Sequence, residues 1–249
     1  MVNLPMRRLK TPLLALAMAA FAPAPATLAT SECATDAMLV FDGSGSMVEF
    51  GFDFRQVTRI TEARRAVARA MPQIAPHRRI GLLIYGPNTG DSCSGIDVRF
   101  GPRPDAAQPI IEAVEALSPG GLTPLATSVG VAAEVLDHRN RPGVIVVVTD
   151  GNETCGGRPC ATGAALTEEA QDLTIHVIGF RAVVDFWTWD NPEQEAHFRE
   201  DIVARCLADM TGGLYIKTET VDELVEALNA TLGCPIYGLR PRALTTLPG

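Results

Sequence analysis

The apolar run Met38-Leu39-Val40-Phe41 ends abruptly in Asp42-Gly43-Ser44-Gly45-Ser46. Consecutive apolar residues bounded by a polar, glycine-rich turn read as a strand buried on both faces. Such a strand belongs inside a sheet covered by helices, so this junction restricts the chain to α/β architectures. It also places one carboxylate and two hydroxyls where the backbone leaves the sheet, with glycines that allow a tight fold around a small ligand. Oxygen donors without sulfur or imidazole suit a hard cation such as Mg²⁺, which keeps several waters and prefers octahedral geometry.

The rest of the chain alternates in the same style. Apolar runs at 38–41, 79–85, 97–100, 144–149, 173–180 and 213–217 read as strands. Helical spacing marks 58–71, 105–117, 124–137, 159–171, about 193–210, and 221–232. Alternation of this kind predicts a doubly wound, mostly parallel sheet with helices on both faces, in one domain over 33–234 with a short tail at 235–249. In such sheets ligands sit beyond the carboxyl ends of the strands where strand order reverses. Two further segments bear on that place. Gly121-Leu122-Thr123-Pro124-Leu125 sets a threonine before a helix, and Val144-Ile145-Val146-Val147-Val148-Thr149-Asp150-Gly151 ends a second buried strand in an aspartate.

Asp-x-Ser-x-Ser, a later Thr-Pro and a strand-terminal Thr-Asp-Gly together resemble the metal-ion-dependent adhesion site (MIDAS) of von Willebrand factor A domains, which have a Rossmann-like fold. The resemblance covers nearly the whole chain after the leader. The segment Glu153-Thr154-Cys155-Gly156-Gly157-Arg158-Pro159-Cys160, with Ile175–Phe180 after it, is similar to the bacterial secreted branch of that superfamily. The resemblance implies adjacent first and fourth strands with the metal above them. It implies that Ser44 and Ser46 bind the cation directly, Thr123 directly or through water, and that Asp42 and Asp150 hold coordinated waters and orient the seryl hydroxyls. It further implies a binding or adhesion module in which Mg²⁺, with Mn²⁺ or Ca²⁺ as alternatives, captures an Asp or Glu of a protein partner. An assembly or chaperone-type subunit and a metal-dependent hydrolase are the other classes, and a structural metal or a metal-free turn is the plainer reading.

Catalytic alternatives fail on named residues. A haloacid-dehalogenase-type phosphatase needs a second aspartate where Ser44 stands, and a P-loop needs a lysine that is absent nearby. A nucleophile elbow needs glycines two residues either side of its serine, and neither Ser44 nor Ser46 has them. His176 reads as packed within a strand, and His77, His138 and His197 as surface residues, so no base presents itself and no enzyme is expected.

The first 29 residues have the form of a secretory signal peptide. Arg7, Arg8 and Lys10 precede an apolar stretch over 13–21, then a Pro/Ala-rich region with cleavage after Ala29, or alternatively Ala26. The apolar stretch is too short to span a bilayer, and Glu32 before Cys33 spoils a lipoprotein signal. A soluble mature protein, periplasmic or extracellular and without a membrane span, is expected. Cleavage takes the net charge from −8 to −11, with 18 basic residues left against 29 acidic ones. That balance disfavours nucleic acid and anionic membranes.

Six cysteines behind a leader read as three disulfides; a zinc site from Cys155-x4-Cys160 is the rival. Cys33 precedes the first strand and Cys234 follows the last helix, both at the lower edge of the sheet, which pairs them. A local Cys155–Cys160 link would leave Cys93 to bridge the domain to Cys206. Disulfide geometry forbids that, because Cα atoms must lie about 4.4–6.8 Å apart. Cys93–Cys155 and Cys160–Cys206 are therefore preferred. Finally, six of the mature chain's thirteen aromatics fall in two stretches after strands: Phe50, Phe52 and Phe54, then Phe186, Trp187 and Trp189. They are either a partner-contact surface beside the metal or a small satellite cluster.

Overall fold

A computed structural model describes residues 33, 35–49, 57–87, 93–182, 193 and 202–234. Its strands are β1 (Asp36–Asp42), β2 (Ile80–Tyr85), β3 (Ile96–Arg103), β4 (Pro142–Thr149), β5 (Asp172–Phe180) and β6 (Tyr215–Thr218). Its helices are α1 (Arg59–Ile74), α2 (Ala107–Glu115), α3 (Leu125–Val135), α4 (Pro159–Glu169), α5 (Arg205–Thr211) and α6 (Val221–Leu232). The sheet order is β3-β2-β1-β4-β5-β6. All pairings are parallel except β2 with β3.

The central strands are apolar at successive positions because each face packs against helices. Along β1, Ala37, Leu39 and Phe41 enter a core with α1, α2 and α6. Met38 and Val40 enter the opposite core with α3 and α5. The antiparallel strand β3 forms one edge and carries Asp97, Arg99 and Arg103, charges that discourage further strand addition.

Strand order reverses between β1 and β4. Their register pairs Leu39 with Val146 and Phe41 with Val148, so the two strands end level. The chain leaves β1 after Asp42 and β4 before Asp150 at neighbouring points, in the crevice where open α/β sheets place ligands.

Two element boundaries and the burial of one histidine differ from expectation. Helix α1 continues through Pro72 to Ile74 instead of stopping at Met71. A proline in the last turn forgoes one backbone bond there, and burial of Ile74 in the core carries the helix onward. Strand β3 extends well beyond 97–100 because it pairs along the length of β2. His138 is buried, not at the surface, in the turn after α3, where its carbonyl accepts the Gln171 amide at 2.9 Å. Of the helix expected over about 193–210, α5 and residue 193 lie within the described residues. The expected leader at 1–29 and the expected tail at 235–249 lie outside them.

Cys33 is bonded to Cys234, Cys93 to Cys155 and Cys160 to Cys206, with Cα–Cα distances of 5.4, 5.6 and 4.8 Å. No described cysteine is left for zinc. Among the described residues no helix is long and apolar enough to cross a membrane. The Cys33–Cys234 bond joins residues 201 positions apart, and constraining the unfolded chain over such a loop stabilises by up to about 5 kcal/mol. Replacing both cysteines with alanine is expected to lower the unfolding free energy by about 2–5 kcal/mol in urea titrations. An unchanged midpoint would contradict a stabilising role for this link.

Candidate metal centre

Asp42 is fully buried at the end of β1, and Asp150 is 2% exposed just past β4. Two ionised carboxylates out of water need compensation, and the surrounding loops supply part of it. Asp42 accepts the Ser44 amide at 2.8 Å on Oδ1 and the Thr149 hydroxyl at 2.7 Å on Oδ2. The buried Tyr85 hydroxyl donates in turn to Thr149 at 3.1 Å. Tyr85 is held well above its ordinary pKa, first by burial and then by the Asp42 charge, so it serves as a neutral donor. Asp150 accepts the Ser46 hydroxyl on Oδ1 at 2.6 Å, while its buried Oδ2 has no hydrogen-bond donor.

The loops that carry these groups are knitted together by backbone. Gly43 donates to Tyr85 O at 2.8 Å, Gly120 to Gly43 O at 3.0 Å, and Gly45 to Gly121 O at 2.9 Å. Thr123 and Thr154 exchange two bonds: the Thr123 amide donates to Thr154 Oγ1 at 2.8 Å, and the Thr154 amide to Thr123 O at 3.1 Å. The turns after β1, before α3 and after β4 thus form one assembly. Its closeness explains two glycines. A Cβ at Gly43 would lie 2.7 Å from Tyr85 O. At Gly86, with φ of +80°, a Cβ would lie 2.7 Å from Ser44 N.

The sequence-derived set Asp42, Ser44, Ser46, Thr123 and Asp150 therefore converges on one end of the sheet, with Thr123 held on a loop bonded to both of the others. Ser44 Oγ and Ser46 Oγ lie 3.0 Å apart. The two hydroxyls are hydrogen-bonded to each other, and the same spacing matches the edge of an octahedron with metal–oxygen bonds of about 2.1 Å, roughly 3.0 Å long. Among the described residues no cluster of three His, Cys, Asp or Glu side chains occurs. The donors here are two carboxylates with hydroxyls, a set suited to Mg²⁺, Mn²⁺ or Ca²⁺ more than to soft metals. The Asp150 oxygen that accepts no hydrogen bond and the Ser–Ser spacing both fit a hard dication, with each hydroxyl oxygen retaining a lone pair to offer. Such an ion would supply positive charge and open coordination positions.

Several participants were not anticipated from sequence. Arg59, at the start of α1, reaches Ser46 O at 3.0 Å, Glu49 Oε2 at 3.3 Å and Asp150 Oδ2 at 3.5 Å. Glu153 is buried and accepts the Ala126 amide at 2.8 Å and the Cys155 amide at 2.7 Å. It caps the N-terminus of α3 from a distant loop, a favourable place for a carboxylate. Glu193 does the same for α4 through the Cys160 and Ala161 amides at 2.8 and 3.2 Å. A caps-by-neighbour pattern would not reveal these, because the partner lies about thirty residues away. The aromatic residues Phe50, Phe52, Phe54, Phe186, Trp187 and Trp189 lie outside the described residues. His176 uses its ring to accept the Leu214 amide at 2.9 Å. Burial, then the Arg78 charge, lowers its pKa to about 4, consistent with a neutral structural role.

Comparison with known proteins agrees with this architecture. Residues 37–153 match the sequence model of the von Willebrand factor type A domain. The chain is 26% identical over 213 residues to uncharacterized protein YwmD of Bacillus subtilis, covering 82% of this chain and 87% of that protein. Among solved structures it resembles a von Willebrand factor type A protein from Catenulispora acidiphila. The TM-score is 0.54 at 18% identity, over 82% of this chain and 42% of that one. Proximal thread matrix protein 1 of the mussel byssus, in a form with a zinc-occupied MIDAS motif, gives a TM-score of 0.54 at 15% identity. That match covers 82% of this chain and 46% of that one. The fold is the Rossmann-like α/β fold of von Willebrand factor A domains.

The carboxylate pair makes a pH prediction for the metal-free protein. Burial first, and then the Asp42 charge, raise Asp150 from 3.8 to about 7, against the opposing pull of Ser46 and Arg59. Between those values the folded state binds more protons than the unfolded state at this group. Its contribution to stability is therefore full below about pH 4 and lost as pH rises through about 7. Asp150→Asn is expected to flatten that part of the stability–pH curve, read from urea midpoints in chelator. A variant with the wild-type slope would show that another group controls it.

Proposed function

We propose that this chain is an exported von Willebrand factor A-type binding protein that holds a divalent cation, Mg²⁺ foremost, at Asp42, Ser44, Ser46, Thr123 and Asp150, and captures an acidic side chain of a protein partner there. The observation that carries this reading is the 3.0 Å spacing of the Ser44 and Ser46 hydroxyls beside two buried carboxylates, one of which has an oxygen that accepts no hydrogen bond and faces only the Arg59 guanidinium at 3.5 Å. In this arrangement Ser44, Ser46 and Thr123 would offer neutral oxygens to the ion, while Asp42 and Asp150 would accept hydrogen bonds from its coordinated waters and orient the hydroxyls. With so few direct anionic donors, a bound dication keeps enough positive charge to attract a carboxylate from outside. The zinc-occupied MIDAS of the mussel protein supports metal occupancy at this place in the fold.

A binding role fits the family likeness, since von Willebrand factor A domains generally mediate protein–protein interaction. No chemistry of this centre calls for a general base. Export is supported by the leader-like first 29 residues and by three disulfides, which persist in oxidising compartments. On sequence grounds, the six aromatics at 50–54 and 186–189 belong to the partner-contact surface in this reading.

The test is thermal. A cation that binds only the native state at a hundred times its Kd adds about 2.7 kcal/mol, or roughly 5–10 °C for a domain of this size. Mg²⁺ or Mn²⁺ is expected to raise the melting temperature of the mature protein on that scale. Asp42→Ala and Ser44→Ala are expected to remove most of the rise. No cation-dependent shift, together with no bound metal by elemental analysis, would overturn the reading.

A further inference from the structure

Arg59 is an unusual neighbour for a cation site. It opens α1 with its side chain only 7% exposed. One nitrogen, Nη1, lies among three acceptors: Ser46 O at 3.0 Å, Glu49 Oε2 at 3.3 Å and Asp150 Oδ2 at 3.5 Å. Its Nε is buried and makes no hydrogen bond. A desolvated guanidinium normally engages a carboxylate through two parallel N–H bonds. Here the charge is instead shared among a loop carbonyl, a buried carboxylate and an exposed one, since Glu49 is 67% exposed.

The charge balance gives this geometry a meaning. Counting the buried groups alone, ionised Asp42 and Asp150 contribute two negative charges and Arg59 one positive charge, while Glu49, 67% exposed, is largely screened by water, so the buried centre is left one negative. A dication then makes it one positive. Without Arg59 the loaded centre would be neutral, and its pull on an outside anion would be weaker. Through Ser46 O the same guanidinium also fixes the loop that carries the Ser44 and Ser46 hydroxyls, before any ion arrives.

We propose that Arg59 is the resident counter-cation of the metal centre. It holds Ser46 and Asp150 together in the metal-free protein, moderates the affinity for the dication, and leaves the loaded centre net positive so that a carboxylate completes it. Glu49 shares the same nitrogen and draws part of that charge away from Asp150. The inference rests on the metal-binding reading above, and Arg59 acts as a positioning residue, not as a metal ligand.

Calorimetric titration of the mature protein with Mg²⁺ alone tests it. Arg59→Met is expected to bind Mg²⁺ about tenfold more tightly or better, while melting lower than wild type in chelator. Arg59→Lys, which keeps the charge, should stay near wild-type Mg²⁺ affinity. Glu49→Gln removes a nearby negative charge and releases Arg59 toward Asp150, so it should bind Mg²⁺ ~3-fold more weakly. Folded Arg59→Met with unchanged or weaker Mg²⁺ binding would overturn the proposal, and so would tighter binding by Glu49→Gln. If Arg59→Met does not fold, the Arg59→Lys and Glu49→Gln results decide. If wild type binds no Mg²⁺, the metal reading itself fails. The counter-cation role is then decided in chelator by a double-mutant cycle of Arg59→Met with Asp150→Asn. Favourable coupling supports it, and additive losses overturn it.

Discussion

Asp42 and Asp150 are buried side by side at the carboxyl end of β1 and β4, and much of the upper half of the molecule can be understood as an answer to that pair. Burial first, and then the neighbouring Asp42 charge, raise the pKa of Asp150. The protein does not neutralise the pair with apolar packing. It surrounds the carboxylates with amide and hydroxyl donors, sets one guanidinium at their edge, and leaves one oxygen without a proton donor. A group of that kind is costly unless something else arrives. In the metal-free protein a proton meets part of that need, as the raised Asp150 pKa indicates; a hard dication would meet it by taking the proton's place.

The remaining architecture holds the pair and its hydroxyls in place. Level strand ends come from the β1–β4 register, and the three loops above them are tied by reciprocal backbone bonds. Glu153 links the loop after β4 to the start of α3. The Cys93–Cys155 bond fastens that same loop to the turn before β3, while Cys160–Cys206 joins α4 to α5. Preorganisation matters because a cation site must set several oxygens at once. Hydroxyls held on braced backbone lose little freedom when an ion binds.

Much of this was legible in the sequence because it follows from local pattern. Apolar runs ending in Asp42 and Asp150 identify strands and place their carboxylates at strand ends, and alternation with helices gives the sheet class. What sequence could not reveal was pairing across distance. Arg59 reads as one more charge at the start of an amphipathic helix, and only the approach of α1 to the loop after β1 turns it into a buried partner of Asp150. Glu153 and Glu193 likewise look like ordinary surface acids, yet each caps a helix that begins far from it in sequence. The polarity of His138 suggests solvent, whereas the turn after α3 buries it and bonds its carbonyl to the Gln171 amide.

The central claim is that the Ser44 and Ser46 hydroxyls share one hard cation. Crystals of the mature protein grown with Mn²⁺, with data collected near the manganese absorption edge, test this most directly. The account predicts an anomalous peak about 2.1–2.2 Å from both Ser44 Oγ and Ser46 Oγ, next to Asp42 and Asp150 and lost in the Ser44→Ala protein. Anomalous density elsewhere, or none at this place in crystals soaked at millimolar Mn²⁺, would contradict it.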